Sequence, residues 1–515
     1  MKKLRSLCRI IFGRTMIALL FLVIQIVVLF IAVTRLSENY KVYYMISQLL
    51  ALVSMIYIIN DKTNTSFKVA WMIPVLALPV FGTLMYIFVK LELGTKLLNH
   101  KLLQLIEKTK PLMPQDPEVM IELGKEDSSE QNFSQYMNDH AFFPTYNNTY
   151  TKFFPLGEDK YEAMMFEMEK AEKFIFMEYF IVEEGYMWDS ILDLLKRKVK
   201  EGVEVRFMYD GTCSIALLPY NYPQKLAKYG IKCKVFSPIK PVLSTVQNNR
   251  DHRKFIVIDG KTAFTGGINL ADEYINKRER FGHWKDTAIM LKGEAVKSFT
   301  LMFMQNWNIT ESVEDNYENY IISEFPELEN LDTSGYVIPY SDSPLDNENV
   351  GQTVYLDILY RAKKYVHIMT PYLILDDEMM TALKYAAKRG VETVIIMPHI
   401  PDKMYAYLLA RTYYAELIKA GVKIYEYTPG FVHAKIFVSD DIRAVVGSIN
   451  LDYRSLFLHF ECAAYVYKGA SVKEVENDYI NTLEKCQQMT LEDCKKLGIF
   501  KRIIGRVLRI IAPLM

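Results

Sequence analysis

The chain has 515 residues, with 61 Lys+Arg against 61 Asp+Glu, 50% hydrophobic residues and 13% aromatics, and a mean hydropathy of +0.02. That excludes a disordered or collagen-like chain and leaves room for two or three domains, each with its own core. Residues 1–15 carry five basic side chains and residues 495–515 six, with no acid in either. Setting those eleven aside leaves 50 basic against 61 acidic, a poor balance for a nucleic-acid binder, which must neutralise phosphates.

The first predicted element is Met16–Val33, 18 residues whose only polar member is Gln25, preceded by Lys2, Lys3, Arg5, Arg9 and Arg14. About 17–25 apolar residues suffice to span a bilayer. A small-residue cleavage site is missing and two more apolar stretches follow, Val42–Ile59 and Val69–Val89, so retained anchors are expected rather than a signal peptide. Pro74, Pro79 and Gly82 in the last stretch are tolerated in a bilayer where neighbours satisfy the freed backbone groups. The reading is a membrane anchor over 1–95 with two or three spans, then a linker over 96–146. The basic N-terminus belongs in the cytosol, and Lys90, Lys96 and Lys101 after the third run favour a cytoplasmic body, with one run re-entrant or interfacial. The expected location is therefore the cell membrane, multi-pass.

From about Asn147 short β-rich runs alternate with helical patterns, the grammar of an α/β fold. The pattern occurs twice. Phe174–Phe180 resembles Tyr365–Tyr372, Gly202–Met208 resembles Gly390–Ile396, and Tyr229–Pro238 resembles Ala420–Pro429, in the same order. A repeat of this length is a whole domain, so two homologous lobes are predicted over 147–310 and 350–494, joined by an acidic, turn-rich linker over 311–349. Residues 495–515 follow, where Lys501, Arg502, Arg506 and Arg509 interleave with Ile503, Ile504, Val507, Leu508, Ile510 and Ile511. That is a cationic amphipathic helix suited to an anionic lipid surface. The six cysteines, at 8, 213, 233, 462, 486 and 494, form no C-x-x-C pair and read as thiols in a reducing compartment.

Each lobe carries one motif. His252-Arg-Lys254 with Asp259, Gly266, Gly267 and Asn269 matches His433-Ala-Lys435 with Asp440, Gly447, Ser448 and Asn450, both reading H-x-K-x4-D-x6-G-[GS]-x-N. About 0.03 chance matches to H-x-K-x4-D are expected in a chain of this length, so two extended matches at equivalent points of a repeat are not accidental. Side chains two apart on a strand share a face, which sets an imidazole beside a fixed positive charge on each lobe. Asp259 and Asp440 complete the two candidate catalytic His/Lys/Asp sets, while Asp259 has the opposite parity and Asp259-Gly260 reads as a hairpin turn, which gives Asp259 a turn and polar-network role as well. Gly266 and Gly267 let backbone approach a ligand, and the Asn269, Ser448 and Asn450 side chains are suited to donate to phosphate oxygens. If the lobes face each other, two His and two Lys converge on one tetrahedral anion. One imidazole then attacks phosphorus while the other protonates the leaving alkoxide and later deprotonates an incoming hydroxyl. No residues have metal-ligand spacing, so neither metal nor cofactor is expected.

These motifs resemble the phospholipase D superfamily, and the body from about Asn147 resembles bacterial cardiolipin synthases. The closer likeness is carried by Asn249–Lys254, Gly266–Tyr274, Phe281–Thr287, Gly447–Ser455 and Glu461, and by the apolar hairpin ending in Trp71 to Tyr86. The resemblance implies two phospholipase D-type lobes, each a mixed β-sheet flanked by helices, behind N-terminal transmembrane helices. It implies metal-free transfer of a phosphatidyl group from one phosphatidylglycerol to another, releasing glycerol. It further implies His252 as nucleophile and His433 as general acid/base, the reverse staying open, with Asp286 and Glu461 orienting the imidazoles. Tyr372 and Arg454 are candidates for lipid contact. Two departures stand out: the extra apolar run Met16–Val33, and His459 in place of the Asn usual before Phe460-Glu461, which bears on acceptor preference. The rivals are a hydrolase that passes the intermediate to water, a phosphatidyltransferase with another acceptor, a nucleic-acid phosphodiesterase and an inactive scaffold.

Overall fold

The computed structural model describes residues 40–90, 93–238, 249–346 and 348–514, with five positions between 23 and 30. The apolar run Met16–Val33 and the basic residues before it lie largely outside the described residues. Two compact units emerge: one holds the described residues up to 98 and from 507, the other 99–238 and 249–506.

In the first unit, helices Tyr40–Asn60, Thr65–Ala77 and Pro79–Lys90 pack together around Ala51, Ile58, Val75 and Tyr86. The predicted third span is two helices. Asn64 caps the first of them by accepting from Ser66 N, and Leu78 leaves helical geometry before Pro79, which has no N–H to continue the ladder. The pieces have 13 and 12 residues, about 20 Å and 18 Å long against a hydrocarbon core of about 30 Å. Among the described residues no helix is long and apolar enough to cross a membrane. Gly82 lets the two pieces close up, since a Cβ there would lie 2.4 Å from the Pro74 carbonyl. Ser54 and Thr83 share a hydrogen bond of 2.9 Å, and Asp61 accepts from Tyr86 and pairs with Lys90. Met45, Ile46, Leu49, Leu52, Val53 and Ile56 remain exposed.

The second unit contains two sheets of the same topology. The first runs, in spatial order, Thr149–Phe154, Ala288–Gly293, Thr262–Gly266, Lys254–Ile258, Phe174–Tyr179, Glu204–Asp210 and Lys232–Phe236. The second runs Tyr336–Asp342, His459–Tyr467, Arg443–Gly447, Ile436–Ser439, Tyr365–Met369, Glu392–Pro398, Lys423–Tyr427 and Cys486–Gln488. Each begins with antiparallel pairs and continues into parallel ones, the second closing on the antiparallel strand Cys486–Gln488, so each is a mixed sheet. The parallel pairs need crossover helices. Tyr186–Lys200 serves between the first two, burying Met187, Trp188, Ile191, Leu194 and Leu195 on one stripe.

Two stretches read as linkers have other structures. Tyr336–Asp342 is the edge strand of the second sheet, antiparallel to Glu461–Tyr467. Its Pro339 is permitted at an edge, and the acidic, turn-rich residues around it hid the alternation. Within 96–146, helices Pro117–Glu126 and Ser128–Asp139 dock on the second lobe. The fully buried Glu130 pairs there with Arg361 at 2.8 Å and Arg443 at 3.0 Å. Helices Leu491–Lys496 and Ile499–Ile511 complete the chain, the latter exposing both Ile503 and Ile504 and the cations Lys501, Arg502 and Arg506. The described cysteines are all free.

A candidate active site shared by two lobes

Two short parallel ribbons join the lobes. Arg250–Asp251, just before the first motif strand, pairs with His459–Phe460 of the second lobe. Gly430–Val432, just before the second, pairs with His283–Lys285 of the first. Continuing either register sets His252 opposite Glu461 and His433 opposite Asp286, and the backbone agrees: His252 N donates to Phe460 O and His433 N to Lys285 O. Paired residues on adjacent strands share a face, so each imidazole meets a carboxylate from the other lobe. His252 Nδ1 lies 2.8 Å from Glu461 Oε1, and His433 Nδ1 lies 2.6 Å from Asp286 Oδ2. A carboxylate on Nδ1 fixes that nitrogen as the protonated one and leaves Nε2 free for chemistry.

All four groups are buried, and burial dominates their electrostatics. It holds the His252 imidazole well below the usual range, helped by the positive charge of Lys254. It pushes His433 down to about 4, helped by Lys435 and opposed by Asp286. Burial also lowers Lys254 to about 8 and Lys435 to about 7, and raises Glu461 well above the carboxylate range. Each lysine donates to the carbonyl of the histidine two residues before it, which keeps the ammonium beside the imidazole. The site thus holds two neutral imidazoles in a field of cations, an environment that an anion would relieve.

The remaining motif residues divide by role. Ser448 donates to Glu461, so its hydroxyl fixes the carboxylate that fixes His252. Asn269 is engaged on both sides, accepting from Ile181 N at 2.9 Å and donating to Tyr274 OH at 2.9 Å. Among the described residues, Asn450 Oδ1 is buried without a hydrogen-bond partner. Gly267 makes room for Asp286, because a Cβ there would fall 2.1 Å from Oδ1. Asp259 and Asp440 lie away from the imidazoles at hairpin turns, with φ of 53° and 58°. Each accepts three backbone N–H bonds, Asp259 from Glu172, Lys173 and Phe174 and Asp440 from Lys363, Lys364 and Tyr365. Their carboxylates tie the turn to the neighbouring strand, as the turn reading of Asp259 expected. Tyr372 donates to Asp402 at 2.6 Å, and Arg454 is exposed.

Several participants carried no local signal. Phe180 meets the His252 ring edge-on at 4.8 Å, and Tyr274 and Trp284 flank His433 at 5.5 and 5.4 Å. Arg253, between two motif residues, faces the other way and pairs with Glu178 at 2.7 Å and Asp251 at 3.0 Å. Strand parity predicts that opposite facing, whereas the partners depend on tertiary contact.

A family model described as cardiolipin synthase, PLD-like domain, matches residues 164–307 and 355–483, and the phospholipase D-nuclease N-terminal model matches 49–90. The chain belongs to the cardiolipin synthase family. It is 37% identical over 366 residues to a cardiolipin synthase of Alkalihalophilus pseudofirmus, covering 71% of this chain and 72% of the relative. It is 50% identical over 462 residues to an uncharacterized protein of Streptococcus mutans, covering 90% and 99%. The crystal structure of a phosphatidylserine synthase from Haemophilus influenzae shares the fold at 14% identity, with a TM-score of 0.56 over 75% of this chain and 98% of that one.

Proposed function

We propose that this protein is a cardiolipin synthase that moves a phosphatidyl group from one phosphatidylglycerol to a hydroxyl of a second, releasing glycerol. The observation that carries the reading is the pair of buried imidazoles, each tied through Nδ1 to a carboxylate of the opposite lobe. In this reading the lipid phosphate, an anion entering the cationic site, raises the pKa of His433 so that its Nε2 takes up a proton from solvent. His252 Nε2 then attacks phosphorus while His433 passes that proton to the departing glycerol oxygen, leaving a phosphatidyl–histidine and free glycerol. His433 then takes the proton of the second phosphatidylglycerol's hydroxyl as that oxygen displaces His252, regenerating the site. Lys254, Lys435 and Asn450 face the equatorial phosphate oxygens, and the charge developing there repays the burial of both lysines. Asp286, Glu461, Ser448, Asn269 and Gly267 position these groups.

The protein is read as a multi-pass membrane enzyme with a cytoplasmic body. The exposed apolar side chains of Tyr40–Asn60 suit lipid, and the cationic, apolar surface of Ile499–Ile511 suits an anionic leaflet. Deleting residues 1–90 is expected to release the body from membranes only in part; full release would remove the C-terminal helix from the anchor.

The test is lipid mass spectrometry after incubating the purified protein with phosphatidylglycerol in detergent, beside His252→Ala. Cardiolipin and glycerol from wild type alone support the transfer. Phosphatidic acid without cardiolipin would make the protein a hydrolase, and product only with another hydroxylated lipid would change the acceptor.

A further inference from the structure

His459 stands beside the site and joins none of its hydrogen bonds. Its side chain is buried, with 9% exposure, and both ring nitrogens lack a hydrogen-bond partner among the described residues. An unmet buried polar atom is unfavourable, so the ring is set for a ligand it does not find among the described residues. Its ring centre is 5.5 Å from that of His252, and its Nδ1 is 4.0 Å from Glu461 Oε1. His252 Nδ1 is 2.8 Å from the same oxygen, and donor atoms of all three residues lie within 4.8 Å of one another.

Two imidazoles and a carboxylate are a donor set that zinc uses with a fourth position left open. With bonds of about 2.0–2.1 Å, neighbouring donors of a tetrahedral zinc lie about 3.3 Å apart. The spacings to Glu461 of 2.8 and 4.0 Å bracket that value and the third lies within 4.8 Å, so relative side-chain shifts of at most about 1.5 Å would close the site. The arrangement is one-sided. In the other ribbon the position matching His459 is Trp284, paired with Phe431, so His433 has its carboxylate but no second imidazole.

We propose that His252, His459 and Glu461 form a binding site for zinc or a similar divalent cation, and that occupancy inhibits the enzyme by capturing the His252 imidazole. A cation there takes Nδ1 of His252 in place of its proton, which leaves the proton of the neutral ring on Nε2 and so removes the lone pair that the reaction needs. Metal and phosphatidyl group therefore compete for His252. The positive charges of Lys254, Arg250 and Arg454 around His459 weaken the site, which makes the inhibition reversible by chelators. Capture rests on the side chains alone, and only the inhibition depends on the proposed reaction.

The test uses the full chain in detergent, stripped of metal and titrated with Co2+ as a spectroscopic substitute for Zn2+. One equivalent is expected to give the intense visible bands of a four-coordinate ion. His433→Ala should retain them, whereas His459→Asn and His459→Gln should lose them, with affinity weakened at least about tenfold. In metal-free buffer both His459 variants are expected to turn over phosphatidylglycerol within about threefold of wild type, but to need at least about tenfold more Zn2+ for half inhibition. Circular dichroism checks folding in each. Absence of four-coordinate bands, or bands undiminished in both His459 variants, would overturn the site; full occupancy with undiminished turnover would overturn the inhibition.

Discussion

Asp286→Asn tests the exchange of carboxylates between lobes with little change of shape. The amide keeps the size that Gly267 accommodates and can still accept from Thr287 N, now at 2.8 Å from Oδ1. What disappears is the charge 2.6 Å from His433 Nδ1, in a position with 0% exposure. A buried hydrogen bond to a charged group contributes about 1.5–3 kcal/mol, which corresponds to about 10–150-fold in kcat at about 1.4 kcal/mol per decade. The sign follows from His433: burial and Lys435 lower its pKa and Asp286 raises it, so the variant holds the acid form less readily. If His433 protonates the leaving glycerol, the basic limb of the kcat profile should move to lower pH by about 1–2 units. Cardiolipin formation followed by mass spectrometry across pH measures both quantities. A kcat within about threefold of wild type with an unmoved basic limb would refute the assignment of Asp286 to the acid/base imidazole.

Asp259→Ala and Asp440→Ala should each lose at least about 3 kcal/mol of stability, because each carboxylate accepts three backbone N–H bonds, while the folded protein keeps kcat within about threefold; thermal melts beside turnover check the separation. Gly267→Ala should cost at least about tenfold in kcat, because its Cβ would stand 2.1 Å from Asp286 Oδ1 and push the carboxylate from its place beside His433; turnover of the folded variant measures it. Inorganic phosphate should bind with uptake of about one proton near pH 8, since an anion raises the pKa of Lys435 from about 7 and of Lys254 from about 8. Its affinity should fall as pH rises above that range, and calorimetry in buffers of different ionisation heat measures the uptake.

Much of this architecture is legible in the sequence because it rests on short-range rules. The period of two places His252 and Lys254 on one face and turns Arg253 away, and internal similarity exposes the two lobes before any strand is placed. The hidden parts depend on pairing between distant segments. The resemblance names Glu461 as an orienting carboxylate, but which imidazole it serves, His252 at 209 positions away, follows only from the ribbon register. The edge strand Tyr336–Asp342 was concealed because its neighbours are acidic and turn-forming, and an edge strand can carry a proline that would count against a central one. In the third apolar run, hydropathy continued through Leu78 and Pro79 while the backbone did not, since apolar character does not compensate for a missing N–H.

The duplicated fold makes each lobe depend on the other to complete its histidine–carboxylate pair. Each supplies a histidine, a lysine and a carboxylate, yet the carboxylate of each serves the other's histidine through a ribbon of two or three paired residues. A lobe alone would keep its imidazole beside its lysine while losing the acceptor that fixes the tautomer, so Nε2 would no longer be reserved for chemistry. The two ends of the dyad need not be equivalent, because the flanking pair is Arg250 with His459 at one end and Phe431 with Trp284 at the other. Shared backbone geometry sets both imidazoles at one site. The side chains beside them then determine what each end meets: a polar, cationic surface next to His252 and an aromatic one next to His433.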